Sequence, residues 1–263
     1  MVTRQKSESV IARNHAYLER IEAIKRDHPA WGYRRVWAYL RYREGFEINK
    51  KRVYLLMKEN KLLAINTRKL RAKRDTDLRS KPKTSRPNEI WGTDMTKIMV
   101  ESWGWVYLHV VLDWGSKKIV GWQLSSRTRT DDWLEALSSA VNKQYPNGIR
   151  ESEGLKLVSD NGCQPTSVKY MAACRALEIK QIFTSYNNPK GNADTERVIR
   201  TIKEDLIWPN EWTSFQQLEN ALSRWVKDYN TDYPHSSLGY QTPEQYEANY
   251  LTQNKNKLSL ICS

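Results

Sequence analysis

The chain has 263 residues, of which 43 are Lys or Arg and 30 are Asp or Glu, so its formal net charge is +13. Hydrophobic residues make up 39% of it, which argues against a wholly disordered chain. The longest apolar run, residues 106–112, is too short to span a bilayer, and the charged first thirty residues do not resemble a signal peptide. Three cysteines without a CxxC pair argue against both a disulfide framework and a cysteine zinc site.

The net excess of positive charge lies in the first third of the chain. Residues 1–88 hold 24 basic and 9 acidic side chains, whereas residues 89–263 hold 19 and 21. A segregated excess of this kind favours a polyanionic partner, most often nucleic acid. The plainer alternative is a basic arm that only keeps the chain soluble.

Residues 1–63 are predicted to form a small helical domain. Apolar residues recur at helical spacing in three stretches between residues 16 and 63, with a break at His28-Pro29 and Asn49 as an N-cap. Three short helices with a basic third member are typical of a helix-turn-helix module, although an ordinary bundle with a solvated basic face stays open. The expected DNA-contacting residues are Arg34, Arg35, Lys50, Lys51, Arg52 and Tyr54.

Residues 64–88 are predicted to be a basic linker, because they combine many charges with two prolines and few apolar side chains.

Residues 89–230 show a different sequence pattern. Alternating strand and helix patterns predict an α/β core with a mixed five-stranded sheet and flanking helices, followed by a tail, 231–263, with a short helix. The predicted strands are 91–100, 103–113, 118–124, 155–159 and 180–184, and the predicted helices are 130–143, 164–177, 194–208 and 214–230.

Three acidic residues stand out by position in this core. Asp94 lies inside the first strand, Asp160 follows the fourth strand, and Glu196 lies near the start of a helix. An acid inside an apolar strand is costly unless it is paired or bound to a metal ion. Carboxylates from separate elements are the oxygen ligands that Mg²⁺ prefers, and paired Mg²⁺ ions catalyse phosphoryl transfer. Each acid taken alone is better explained as a surface or capping residue, and only the three together favour a cation site.

Helical geometry adds two cations to this predicted site. At about 100° per residue, Arg200 and Lys203 point within about 40° of Glu196, whereas Glu204 points about 80° away. Cations beside metal-binding acids suit a phosphate backbone. The alternative is a helical salt-bridge ladder with Glu196. Most of the eleven tryptophans are expected in the core, with Trp31 and Trp208 as exceptions that face DNA.

Four motifs in order resemble one family, the OrfB-type transposases of the insertion-sequence-three family, over nearly the whole chain. Asp160 and Glu196 are separated by 35 residues, and Lys203 lies seven residues after Glu196. Residues 31–35, WGYRR, resemble the N-terminal helix-turn-helix of this family. Residues 234–243, PHSSLGYQTP, resemble its terminal signature.

The resemblance implies a ribonuclease H-like core of the DDE integrase type. In such enzymes Asp94, Asp160 and Glu196 would bind two Mg²⁺ ions, or Mn²⁺, and catalyse strand cleavage at the element ends followed by 3′-OH attack on another phosphodiester. Asn192 and Asp194 are interpreted as loop supports.

The resemblance also implies partners and a location. The partners would be the terminal inverted repeats, target DNA, further copies of the chain in a synaptic complex, and an OrfA segment as partner or fusion. We expect a cytoplasmic, nucleoid-associated bacterial protein without membrane contact. A nuclease of the same fold without strand transfer, and a non-catalytic DNA-binding regulator, are the competing functions.

Overall fold

The computed structural model describes residues 8–64, 84–150, 153–184 and 191–261. The chain divides into two compact units, Met1–Lys73 and Arg74–Ser263. Residues 65–83 of the predicted linker lie outside the described part. Residues 84–88 pack on the second unit, where the Asn88 amide donates to the Asp113 carboxylate at 3.0 Å.

The first unit contains three helices, α1 (Glu8–Asp27), α2 (Tyr33–Tyr42) and α3 (Lys50–Glu59). Their buried stripes meet in a core to which all three helices contribute. Asn49 caps α3 as predicted, since its side chain accepts a hydrogen bond from the Arg52 amide at 2.9 Å. The fully buried core positions include Ile21, Val36, Leu40, Val53 and Met57.

The second unit is built on one five-stranded sheet in the order β3-β2-β1-β4-β5. The first three strands form the antiparallel meander that their short connections predict, and β4 and β5 run parallel to β1. The predicted mixed sheet is therefore confirmed. The strands are β1 (Ile90–Val100), β2 (Gly104–Asp113), β3 (Ile119–Ser125), β4 (Lys156–Ser159) and β5 (Lys180–Phe183).

Helices cover both faces of the sheet. The odd-numbered side of β1 meets α4 and α5 through a core that includes Trp91, Trp133 and Tyr170. The even-numbered side of β1 meets α6, and the first turn of this helix lies directly over Gly92. The helices are α4 (Thr130–Gln144), α5 (Val168–Ala176), α6 (Ala193–Ile202), α7 (Phe215–Asp232) and α8 (Pro243–Ile261), with a π-helical turn at Lys203–Ile207.

Three predicted helix boundaries were wrong. The predicted helix 164–177 starts at Val168, because the Ser167 hydroxyl caps it and the chain turns at residues 164–167. The predicted helix 194–208 changes from α to π geometry at Lys203. The tail carries a helix of 19 residues, not a short one.

The length of α8 was underestimated because the helix has too few apolar residues for a clear periodic stripe. It is tied to the sheet by charge: the Lys118 ammonium lies 2.6 Å from the Glu247 carboxylate. Among the described residues, no helix combines the length and the apolar character that crossing a membrane requires.

Candidate active site

Asp94 lies in the middle of β1 on the face that α6 covers. It is half-buried, and its strand neighbours Thr93 and Thr96 are buried. Its Oδ1 accepts a hydrogen bond from the Met95 amide at 2.8 Å. The carboxylate therefore has one backbone donor, too few to offset the loss of water around a charged group.

Asp160 lies at the carboxyl end of β4, one strand away from Asp94. The parallel ladder pairs Gly92 with Val158, so the two aspartates each lie two residues beyond matched positions. Asp160 is exposed, and its Oδ1 accepts from the Gly162 amide at 3.0 Å. Register therefore places both acids at one level of the sheet.

The helix α6 carries Glu196 to the same end of the sheet. The buried side of this helix, Val198, Ile199 and Ile202, packs on the sheet, while Glu196 itself is exposed. Its backbone amide bonds the Asn192 carbonyl in the first turn. An exposed acid on a helix whose opposite side is anchored is held at a fixed height above the sheet.

The electrostatics of Asp94 report the proximity of these groups. Burial is the main cause that raises the pKa of Asp94 to about 6; the negative charges of Asp160 and Glu196 act in the same direction, whereas the Met95 amide and the Lys203 ammonium oppose the rise. Two carboxylates and one cation, from the end of β4 and from α6 with its π-helical turn, therefore lie close enough to act on Asp94.

The donors fit a hard divalent cation by their chemistry. They are carboxylate oxygens that repel one another, and a positive ion would relieve that repulsion. Within the described residues, no three His, Cys, Asp or Glu side chains lie close enough to hold a metal ion as they stand. The structure thus brings the acids to one site without closing a coordination shell.

The two predicted cations of α6 have different surroundings. Lys203 acts on Asp94 electrostatically, as its predicted direction requires. Arg200 donates to Glu204 at 2.7 Å in an exposed pair, so its ladder partner is Glu204 and not Glu196. The π-helical turn that begins at Lys203 widens the helix beside the acids, a feature frequent at functional sites.

In the first unit, most of the predicted DNA-contacting side chains also contact the protein. The Arg52 guanidinium donates to Asn14 at 2.8 and 2.6 Å and lies over the Tyr17 ring. Lys50 lies 4.3 Å from the centroid of the Trp37 ring. These contacts brace α3 against its neighbours and orient its basic end.

The arginines of α2 follow the same pattern. Arg34 donates to the Tyr33 hydroxyl at 3.2 Å, and Arg35 lies over the ring of Trp31. Tyr54 of α3 packs edge-on against Tyr33. Lys51 is exposed at the start of α3, in the position from which a helix-turn-helix reaches DNA.

One aromatic expectation was wrong. Trp31 is only 1% exposed and stacks on His28, so it belongs to the core of the first unit. Trp208 is 66% exposed, immediately after the π-helical turn.

Sequence reasoning missed the residues that seat α6. Trp114 directly follows β2, and its indole NH donates to the Thr195 hydroxyl at 3.0 Å in the buried interior. Lys117 lies 2.8 Å from Asp194. The available signal was Gly92, since a glycine inside a buried strand often marks a close backbone approach.

Comparisons with known proteins agree with this architecture. Two models described as "Integrase core domain" match residues 84–189 and 177–243, and a model described as "HTH-like domain" matches residues 12–69. The transposase of insertion sequence element IS904 from Lactococcus lactis is 30% identical over 241 residues, which are 87% of this chain and 92% of the relative. The chain belongs to the OrfB-type insertion-sequence transposases. The resemblance seen in the sequence is therefore confirmed.

Further matches to this transposase point the same way. Transposase InsD of an IS2 element from Escherichia coli is 28% identical over 239 residues, covering 87% of this chain and 77% of the relative. A chain in the structure of the simian T-cell lymphotropic virus intasome matches with a TM-score of 0.51 at 17% identity, covering 80% of this chain and 73% of the other. At that identity the likeness concerns the fold, and it confirms the predicted ribonuclease H-like integrase core.

Proposed function

We propose that this transposase cleaves DNA strands at the ends of its insertion sequence and joins the freed 3′-OH to a second phosphodiester, using Asp94, Asp160 and Glu196 with two divalent cations. The observation that carries the proposal is the register that sets Asp94 and Asp160 at one level of the sheet, with Glu196 and Lys203 near enough to act on the pKa of Asp94. Membership in the transposase family supports the same reaction class.

The three carboxylates would hold Mg²⁺, or Mn²⁺, as oxygen ligands. Such ions, when bound, activate the attacking water or 3′-OH and neutralise charge on the scissile phosphate. The protein's own contribution is placement: β1 and β4 fix the aspartates, and α6 fixes Glu196. Lys203 adds a positive charge beside the acids that would attract the DNA backbone.

The helical unit is proposed to bind the terminal inverted repeats of the element. Lys51 is exposed at the start of α3, and Lys50 and Arg52 flank it in braced positions. Basic side chains at the start of the third helix suit phosphates and base edges in a major groove. The further proposed partners are target DNA, additional copies of the chain in a synaptic complex, and an OrfA segment.

The test is incubation of the full chain, with and without an OrfA segment, with labelled duplexes that carry the element ends. Mg²⁺ should yield nicked ends and then joined products, and EDTA should abolish both. Nicking without joining would instead favour a nuclease, and cation-independent binding without nicking would favour a DNA-binding regulator.

A further inference from the structure

The first turn of α6 lies unusually close to the strand that carries Asp94. A Cβ atom added to Gly92 would lie 2.1 Å from the Thr195 hydroxyl, 2.3 Å from the Trp114 indole nitrogen and 2.9 Å from the Asn192 side-chain oxygen. No side chain fits at those distances. Glycine, two residues before Asp94, therefore lets the helix rest directly on the strand.

Asn192 joins the start of α6 to β1. It occupies the N-cap position, where an Asn side chain ordinarily accepts from a backbone amide of its own helix. Here the side chain makes no such bond. Its amide nitrogen instead donates to the Thr93 carbonyl at 3.1 Å in the buried interior. The side chain thus docks the helix on the strand beside Asp94 and does not cap it.

Thr195 joins the same turn to the end of β2. It is fully buried, and its hydroxyl accepts from the Trp114 indole NH at 3.0 Å. Trp114 is itself fixed, because its backbone amide donates to the Ile90 carbonyl at 3.0 Å and its ring is 1% exposed. The indole is therefore a rigid anchor for the residue that directly precedes Glu196.

Asp194 adds a third tie. Its carboxylate lies 2.8 Å from the Lys117 ammonium, and both side chains are less than one-fifth exposed. Lys117 also donates to the Trp114 carbonyl at 2.7 Å, so the ion pair ends on the same anchor. A mostly buried pair of this kind resists screening by salt more than a surface pair does.

We propose that Asn192, Asp194 and Thr195 are positioning residues that together form a latch, here called the α6 latch, which holds Glu196 at the height of Asp94 before any cation binds. The proposal rests on the proposed function, because it gives Glu196 the role of a cation ligand. The three ties come from a single helical turn and end on β1 and on the segment after β2.

A latch is needed because the acids repel one another. Asp94, Asp160 and Glu196 are all carboxylates, so no attraction among these three side chains draws Glu196 toward the strand. The hydrophobic side of α6 begins at Val198, after Glu196, and leaves the first turn to polar contacts. Residues that hold a metal ligand in place typically change cation affinity or activity by about 10–100-fold when removed.

The test compares Thr195→Val with a matched control, Thr242→Val. Thr242 is also fully buried at the start of a helix, where its hydroxyl accepts from the Gln245 amide. That helix is α8 and not α6, which makes Thr242 the control. The readout is the Mn²⁺ concentration at the midpoint of a calorimetric binding titration of the full chain, with melting temperatures recorded separately. Cleavage of labelled element ends is measured in parallel as kcat and KM.

We expect Thr195→Val to raise the Mn²⁺ midpoint about 10-fold and to lower kcat with KM for DNA unchanged. Thr195→Ser keeps the hydroxyl and should restore both values. Thr242→Val should lower the melting temperature without moving the midpoint. Asn192→Ala carries the same expectation as Thr195→Val and replaces it if the valine variant does not fold.

An unchanged Mn²⁺ midpoint in both latch variants, or an equal rise in Thr242→Val, overturns the α6 latch. A wild-type chain that binds Mn²⁺ with the expected variant differences, yet never cleaves element ends, supports the latch and overturns the proposed function. The two failures are therefore distinguishable in one experiment.

Discussion

Asp94 and Asp160 lie one strand apart at the same level of the sheet, because the parallel register of β1 with β4 matches Gly92 to Val158. The pairing is parallel, so both strands run toward the same end of the sheet and both acids lie in one region. The raised pKa of Asp94, about 6, is the electrostatic consequence of burial and of this closeness. A substitution of either aspartate should therefore change cation binding, activity and stability together.

Replacing Asp94 with Asn tests that link. The variant removes a half-buried charge that burial and two neighbouring carboxylates disfavour, so the cation-free protein should gain about 1–3 kcal/mol of stability at pH 7.5. Cleavage should fall at least about 100-fold while DNA affinity stays within about twofold. Thermal melts with and without Mn²⁺ measure the first effect. A variant that loses stability, or that Mn²⁺ still stabilises fully, would count against a shared cation site.

Gly92→Ala should act locally on the site. The added methyl group would meet Thr195 and Trp114 and force the first turn of α6 away from β1, which costs about 1–3 kcal/mol. Gly121→Ala is the matched control, because its Cβ would lie 2.4 Å from the Ala136 carbonyl under α4, away from the acids. Both variants should melt earlier, but only Gly92→Ala should raise the Mn²⁺ midpoint. Equal cation dependence in the two variants would contradict a local effect.

Substitutions of two adjacent basic residues of α3 should distinguish a side chain that contacts DNA from one that stabilises the helical unit. Lys51 is exposed, so Lys51→Ala should leave stability unchanged and lower the slope of log affinity against log salt by about one. Arg52 is bound to Asn14 and lies over Tyr17, so Arg52→Ala should destabilise the protein by about 1 kcal/mol. Anisotropy titrations with a labelled duplex at several KCl concentrations, together with melts, check both. The reverse ranking would mean that Arg52 contacts DNA and Lys51 does not.

The buried imidazole of His109 should make the protein less stable in acid. It is fully buried on β2 against Trp133, and burial lowers the pKa of its imidazole below the ordinary value of 6.5. The unfolded chain therefore binds the proton more readily, so stability is complete above about pH 6.5 and falls as the pH drops below it, by at most about 1.4 kcal/mol per pH unit. His109→Phe should flatten this fall in urea titrations between pH 7.5 and 5. His15→Gln, on the exposed surface of α1, is the control and should leave the fall unchanged.

The sequence predicted the elements of this protein better than their boundaries. The three strands of the meander and the N-cap at Asn49 were correct because β-branched runs, short turns and a capping residue are local signals. The full length of α8 and the π-helical turn at Lys203 were not predicted. The contact of Lys118 with Glu247 ties α8 to the sheet, and no local pattern in the sequence reveals it.

The sequence by itself determined which acids to consider and which family the chain belongs to, because spacing along the chain and residue type are properties of the chain alone. Only the tertiary structure decided that Asp94 and Asp160 share a level of the sheet, since strand register depends on pairing between distant segments. It also decided that Trp114 and Thr195 meet. These residues are 81 positions apart, and their contact exists only because a glycine lets the helix reach the strand.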